Sequence, residues 1–182
     1  MKRPYKIAVV GPESTGKSVL SAELASYFQC AYVPEVAREY LNTIKRPYVE
    51  DDLLAIAKIQ VETEDALLSQ QQKVLICDTT LLVIRIWSEV KYERCEKWIL
   101  QEENSREYDF FLLTNIDLPW EDDPQREHPT MREALFSRYY DALLAKDVKF
   151  EVVSGMGVQR LNNALKSIQK QIPELFSKLL DF

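Results

Sequence analysis

Residues 11–18 read Gly11-Pro12-Glu13-Ser14-Thr15-Gly16-Lys17-Ser18, a full match to the pattern G-x-x-x-x-G-K-[ST]. The apolar run of residues 5–10 precedes this motif, and a helical pattern over residues 17–28 follows it. A phosphate-binding loop needs both contexts, a strand before it and the start of a helix after it. The motif therefore predicts a loop that binds phosphate groups.

The residue types of this loop suit that role. Backbone N–H groups must turn inward around phosphate oxygens, and a side chain at Gly11 or Gly16 would obstruct the turn or the ligand. The helix N-terminus adds positive partial charge, the Lys17 ammonium can reach the β- and γ-phosphates, and the Ser18 hydroxyl can ligate Mg²⁺. We therefore expect ATP and Mg²⁺ as cofactors. The predicted ATP contacts in this stretch are Gly11, Glu13, Ser14, Thr15, Gly16, Lys17, Ser18 and Val19.

Apolar runs recur along the chain and alternate with helical patterns. They predict strands over residues 5–10, 31–33, 74–77, 110–113 and 150–153. The helical patterns cover residues 17–28, 50–72, 81–104 with a break, 130–146 and 157–171. Because continuous apolarity implies burial on both faces, the strands should form a parallel sheet sandwiched by helices. We expect an α/β fold in one domain over residues 1–182.

The composition narrows the classes of function. The net charge is −6, and no block of five or more Lys and Arg residues occurs, which argues against binding nucleic acid or a membrane surface. The single histidine, His128, excludes zinc sites that need several imidazoles. Three widely spaced cysteines, with Cys30 and Cys77 beside predicted core strands, suit reduced thiols and a cytoplasmic location.

Two carboxylates follow predicted strands at the edge where open α/β sheets bind ligands. Asp78 ends the third strand and can join the Mg²⁺ shell, although it can also cap the next helix. Glu35 follows the second strand and can accept the proton of an attacking hydroxyl, with Arg38 one turn on to orient the substrate. A capped, solvated helix start explains Glu35 and Arg38 as well. Asp78 is also a candidate base, with Glu35 then anchoring the substrate, and the sequence leaves this exchange open.

The stretch of residues 120–129 has two prolines, heavy charge and no apolar period, so we expect a mobile lid over about residues 118–133. Arg126 and Arg132 in this lid can close over the γ-phosphate, and Trp120 offers a flat surface for a ring. Surface charge and simple packing are the alternatives for these side chains.

Three further features bear on the interpretation. Residues 114–117 lack the lysine of an N-K-x-D motif, which disfavours a GTPase. Gly155 and Gly157 follow the fifth strand, in the loop that borders the adenine in nucleotide kinases, although a simple strand-to-helix turn explains these glycines equally well. Residues 172–182 carry an apolar helical stripe that either docks on the core or contacts a second copy of the chain.

With these motifs placed, the chain resembles the P-loop nicotinamide riboside kinase domain of the NadR family. The resemblance rests on residues 11–18, the segment P-E-V-A-R-E-Y at 34–40, Asp78, and L-P-W-E-D-D-P-Q-R at 118–126. It extends over nearly the whole chain, through Gly155 and Arg160. The segment at 34–40 also looks like the part of deoxynucleoside kinases that carries the base for the sugar 5′-hydroxyl.

The resemblance implies the strand order 2-3-1-4-5 and transfer of the ATP γ-phosphate to the 5′-hydroxyl of nicotinamide riboside, a small-molecule nucleoside. By position, Trp120 would stack on the nicotinamide ring, and Asp122 or Asp123 would contact the ribose or the amide. Gly155 and Arg160 would contribute to the ATP site.

The sequence also departs from the family pattern. Many members carry an adenylyltransferase domain ahead of the kinase, whereas ten residues precede the motif here and one histidine cannot supply H-x-G-H. We therefore expect no synthesis of NAD from the mononucleotide. A kinase of deoxynucleosides or other nucleosides and a non-catalytic ATP-binding switch are the alternative functions, because a P-loop alone specifies nucleotide binding.

Overall fold

The computed structural model describes residues 3–70 and 72–177. Its strands are β1 (Tyr5–Val10), β2 (Tyr32–Val33), β3 (Val74–Asp78), β4 (Phe110–Thr114) and β5 (Phe150–Val153). Its helices are α1 (Lys17–Phe28), α2 (Val36–Thr43), α3 (Glu50–Leu68), α4 (Leu81–Tyr92), α5 (Lys97–Ser105), α6 (Arg132–Ala145) and α7 (Val158–Gln171). A short 3-10 turn at Pro173–Leu175 follows α7.

The five strands form one parallel sheet in the order β2-β3-β1-β4-β5, as the sequence predicts. The register pairs Val9 with Asp78 and Val10 with Leu113, so the carboxyl ends of the three central strands meet at one edge. Every residue of β3 and β4 is buried, which agrees with their continuous apolar runs. This edge carries the candidate site.

Helices cover both faces of the sheet. On one face, α1 and α7 pack on the sheet through Leu24 and Ile168, and on the other, α4 and α6 pack through Ile86 and Leu143. A third apolar cluster joins α2, α3, α4 and α5. The prediction of a helix-sandwiched parallel sheet is confirmed.

Some predicted boundaries were wrong. The helix predicted over 50–72 ends at Leu68, because Ser69 and Gln70 turn toward β3. The sequence patterns do not predict α2, because this helix is only eight residues long and largely polar. The break predicted within 81–104 separates α4 from α5, where Glu93 adopts a left-handed conformation.

The apolar stripe after α7 is only partly described. Ile172 is buried, and Leu175 and Phe176 pack against the cluster of α1 and α7, which favours docking on the core. The helix expected over 172–182 is a 3-10 turn where the structure describes it, since Pro173 cannot continue the hydrogen bonding of α7. Leu179 and Leu180 lie outside the described residues.

Candidate functional site

The phosphate-binding loop between β1 and α1 depends on its two glycines. Gly11 has φ +143°, and a Cβ there would lie 2.4 Å from the Thr114 hydroxyl oxygen. Gly16 has φ +72° and precedes the first residue of α1. The Thr15 hydroxyl lies 2.7 Å from both the Pro12 carbonyl oxygen and the Thr114 hydroxyl. The loop is therefore held against the end of β4, in a conformation that side chains at positions 11 and 16 would disrupt.

Lys17 turns its charge back into this loop. Its ammonium donates a hydrogen bond to the Pro12 carbonyl at 2.8 Å, at the positive N-terminal end of α1. The first turn of α1 carries no acidic residue that would offset this positive potential. A phosphate oxygen entering the loop would compete with the Pro12 carbonyl for the ammonium, so the arrangement suits anion binding.

Ser18 and Asp78 form a pair suited to a hard cation. The Ser18 hydroxyl lowers the pKa of the Asp78 carboxylate, whose Oδ1 is buried with no hydrogen-bond partner among the described residues. Such an orphaned carboxylate oxygen beside a hydroxyl fits the oxygen ligands that Mg²⁺ prefers. The alternative role of Asp78 as a helix cap is wrong, because Thr80 caps α4 by accepting the Leu82 N–H.

The environment of Asp78 disfavours its ionised form. Burial raises the pKa of the Asp78 carboxyl to about 6. The Ser18 hydroxyl and the Lys17 charge lower this pKa, whereas the Glu35 carboxylate raises it. A bound cation would relieve the cost of ionisation, which makes Asp78 a sensitive point of the site.

Glu35 and Arg38 line a cavity that the phosphate-binding loop also lines. Glu35 precedes the first residue of α2 and makes no side-chain capping hydrogen bond, which leaves its carboxylate to line the cavity. Arg38 also lines the cavity and donates to the Asp123 carboxylate at 2.8 Å. The hydrogen bonds from Gln125 and Arg38 lower the pKa of Asp123, so this pair ties α2 to the lid in charged form.

The predicted lid contains no helix or strand between Asn115 and Met131, and it rests on the phosphate-binding loop. The Ser14 hydroxyl accepts the Glu121 N–H at 2.9 Å, and the Glu13 carboxylate accepts the His128 N–H at 3.0 Å. The predicted ATP contacts Glu13 and Ser14 therefore direct their side chains to the lid. Their backbone N–H groups remain the predicted phosphate donors.

Both lid arginines reach the same loop. Arg126 lines the cavity and donates to the Ser14 hydroxyl at 3.3 Å and to the Glu121 carbonyl. Arg132 donates to the carbonyls of Ser14 and Leu118 at 3.1 and 2.9 Å. Two guanidinium groups thus stand beside the loop that would carry the phosphates, where developing negative charge can be stabilised.

Trp120 and Asp122 hydrogen-bond to each other, with the indole N–H donating to the carboxylate at 2.9 Å. The Arg126 guanidinium lies 6.0 Å from the centre of the Trp120 ring. The cavity is lined by Asp123 and Glu121 but not by Trp120 or Asp122. Their predicted roles in substrate binding would need a different arrangement of the lid.

A cavity of about 520 Å³ lies between the phosphate-binding loop, the lid and helices α2, α4 and α6. Its volume is within the range of small-molecule sites. The part of the lining that helices α2, α4 and α6 contribute is largely apolar and aromatic. Its apolar and aromatic side chains are Ala37, Leu41, Val83, Ile86, Trp87, Val90, Leu135 and Tyr139.

Trp87 and His128 are among the lining side chains that sequence reasoning missed. The Trp87 indole N–H donates to the Tyr48 hydroxyl at 2.8 Å, and the ring faces the cavity. His128 lines the cavity from the lid, and its Nε2 is buried without a hydrogen-bond partner among the described residues. The helical spacing of Val83, Trp87 and Val90 was the available signal, but it equally predicts a core-facing stripe.

The loop after β5 joins the site from the side predicted to border the adenine. Met156 and Gly157 line the cavity, whereas Gly155 does not. The predicted ATP contact Val19 is exposed on α1 and also lines the cavity. Arg160 lines it as well, but its guanidinium hydrogen-bonds to protein groups.

Comparison with known proteins agrees with this geometry. A family model described as "AAA domain" matches residues 6–160, whereas no curated protein matches the chain. The structure of the NadR protein in complex with NR has a TM-score of 0.76 at 17% identity and covers 93% of this chain and 52% of the NadR chain. NadR in complex with NAD and AMP-PNP has a TM-score of 0.71 at 18% identity, covering 92% and 49%.

A thymidylate kinase from Ehrlichia chaffeensis has a TM-score of 0.66 at 15% identity, covering 93% of this chain and 99% of that chain. At these identities the likeness establishes a shared fold, that of P-loop kinases. The chain spans about half the length of the two NadR chains. Within the described residues, none of the helices has the length and apolarity to cross a membrane.

Proposed function

We propose that this chain, which belongs to the AAA domain family whose model spans residues 6–160, is an ATP-dependent kinase that phosphorylates a nucleoside. The carrying observation is one cavity that joins a phosphate-binding loop, the carboxylate of Glu35 and an apolar, aromatic wall. An ATP-binding switch would need the first of these features, but not the other two.

The proposed transfer uses three groups of side chains. Lys17 and the backbone of its loop hold the ATP phosphates, and Arg126 and Arg132 stabilise charge on the γ-phosphoryl group during transfer. Ser18 and Asp78 would hold Mg²⁺, which neutralises phosphate charge when bound. The lid lies over the loop and would exclude water, so that the acceptor hydroxyl is favoured over hydrolysis.

We assign the base to Glu35. Its carboxylate lines the cavity, where it can accept the proton of a substrate hydroxyl. Asp78 is buried and does not line the cavity, and Ser18 and Lys17 of the phosphate-binding loop lower its pKa, which supports a role toward the cation. Of the two assignments that the sequence leaves open, the one with Glu35 as the base and Asp78 toward the cation is therefore better supported.

Nicotinamide riboside is the proposed acceptor, with its 5′-hydroxyl as the phosphorylated group and nicotinamide mononucleotide as the product. The NadR protein, which shares this fold, has been solved in complex with NR. Trp87 offers its ring to the base, and the lining carboxylates Glu35, Glu121 and Asp123 suit a cationic ring. If the lid rearranges on binding, Trp120 and Asp122 would complete the pocket.

A neutral nucleoside or deoxynucleoside is the second candidate acceptor. The apolar wall around Trp87 can stack on any base ring, and the chain shares its fold with a thymidylate kinase. ADP release with Mg-ATP, measured for nicotinamide riboside and a panel of nucleosides with the product identified by mass, separates the candidates. A higher kcat/KM for thymidine or cytidine would replace the proposed acceptor. ATP binding with no phosphorylated product would replace the kinase by a switch.

A further inference from the structure

Arg160 lies in the first turn of α7 and is only 4% exposed. Its Nε donates to the Gly155 carbonyl at 2.7 Å, and its Nη1 donates to the Thr15 carbonyl at 2.7 Å. Its Nη2 donates to the Asp117 carboxylate after β4. One guanidinium thus joins the phosphate-binding loop, the loop after β4 and the loop after β5. The sequence predicts Arg160 as a direct ATP contact, and this geometry indicates a different role.

We propose that Arg160 is a positioning residue of the ATP site, which acts through the carbonyl of Thr15. This inference rests on the proposed binding of ATP. In a trans peptide the C=O and the following N–H point in opposite directions. By holding the Thr15 carbonyl on its own side, Arg160 turns the Gly16 N–H away from itself, toward the interior of the phosphate-binding loop.

The same guanidinium sets the position of the loop after β5. Gly155 has φ +106°, its N–H donates to the Asp117 carboxylate at 2.6 Å, and its carbonyl accepts from Arg160. Met156 and Gly157, which follow directly, line the cavity. Arg160 and Asp117 therefore hold the wall beside the nucleotide at a set distance from the phosphate loop.

A lysine at position 160 could not make the same three hydrogen bonds. Its ammonium presents one nitrogen, whereas the planar guanidinium reaches two carbonyls and a carboxylate with three nitrogens at fixed angles. Losing the bond to Thr15 frees the peptide that carries the Gly16 N–H. We expect the preorganised phosphate cradle to loosen while the acceptor pocket around Trp87 keeps its shape.

The test compares Mg-ATP with inorganic tripolyphosphate, a ligand that has phosphates but no base. Calorimetric titration of Arg160→Lys should show Kd raised about tenfold for both ligands, as expected for the loss of a charge-assisted hydrogen bond. KM for the acceptor should stay within about twofold. Arg138→Lys, the same change at an exposed site on α6, is the matched control and should leave all three values unchanged.

Two results would overturn the inference. Unchanged affinity for both ligands would show that Arg160 does not position the loop. Weaker binding of ATP with unchanged binding of tripolyphosphate would show that Arg160 contacts the adenosine part of ATP directly. If Arg160→Lys does not fold, Asp117→Asn decides, with a rise in Kd of about threefold expected for both ligands and no change contradicting the inference. Wild-type protein that binds both ligands but phosphorylates no acceptor would refute the proposed kinase, and this comparison would still test Arg160.

Discussion

The Glu13 carboxylate, in the phosphate-binding loop, accepts the backbone N–H of His128, in the lid, at 3.0 Å. The same carboxylate lies 3.2 Å from the backbone nitrogen of Glu127. A side chain at a variable position of the motif therefore holds the lid closed over the loop. The side chain of Glu127 binds on the other side to Lys91 and Tyr48, so the lid is anchored at both flanks.

Glu13→Ala should release the centre of the lid. Amide hydrogen exchange of the peptide that contains Glu127 and His128 should become at least tenfold faster, because two hydrogen bonds to a charged acceptor are lost. Mass spectrometry measures this exchange in protein without ATP. Glu23→Ala, a change on α1, is the control. Equal exchange rates in the Glu13 variant and the wild type would contradict a latch at this residue.

The activity should depend on the ionisation of Asp78. Burial raises its pKa to about 6, and only the ionised carboxylate would bind Mg²⁺. We therefore expect kcat/KM for Mg-ATP to fall about tenfold per pH unit below pH 6 and to level off above it. Asp51→Asn, on the exposed side of α3, should keep this profile. A flat profile between pH 5 and 7 would contradict the assignment.

Asp78 should also cost folding stability in its ionised form. In the folded protein its pKa is raised from an ordinary value of 3.8 to about 6, so folding favours the neutral carboxyl. The stability that the neutral carboxyl allows is lost as the pH rises through 6. Asp78→Asn should therefore raise the free energy of unfolding at pH 7.5 by up to about 3 kcal/mol and change it little at pH 4. Urea denaturation without ATP and Mg²⁺ measures both values. A loss of stability at pH 7.5 would contradict this account.

Trp87 and Trp120 are the two candidates for the side chain that stacks on the ring of the acceptor nucleoside. Because Trp87 lines the cavity, Trp87→Ala should raise KM for the acceptor about tenfold and leave KM for ATP unchanged. Trp98→Ala, at a tryptophan of α5 outside the cavity lining, is the control. A rise in KM for Trp120→Ala but not for Trp87→Ala would move the ring site to the lid.

Much of the fold follows from local signals in the sequence. The buried runs of β1, β3 and β4 are continuous because helices cover both faces, and the phosphate-binding motif requires a strand and a helix around it. The helix α2 gives a weaker signal, since its eight residues pack only Ala37 fully into the interior. The sequence pattern predicts the end of α3 four residues too late, because residues 69–72 include no Gly or Pro that would end a helix.

The candidate site was less predictable where it depends on long-range contacts. The loop, Glu35 and Asp78 follow strands at the predicted edge, and the structure brings them to one site. The partners of Arg160 are at positions 15, 117 and 155, and no local pattern connects them. Trp87 shows helical spacing, but the spacing is the same for a core and for a cavity wall.

The proposed transfer to nicotinamide riboside is tested by measuring the rate of the Glu35→Gln variant at saturating Mg-ATP and nicotinamide riboside, together with its affinity for ATP. We predict that the wild type forms the mononucleotide and that the variant is at least about 100-fold slower in kcat with an unchanged Kd for ATP. Glu39→Gln, a change at an exposed glutamate of the helix α2 that follows Glu35, should match the wild type. A Glu35→Gln variant as fast as the wild type would contradict the role of Glu35 as the base, and no mononucleotide from wild-type protein that binds ATP would contradict nicotinamide riboside as the acceptor.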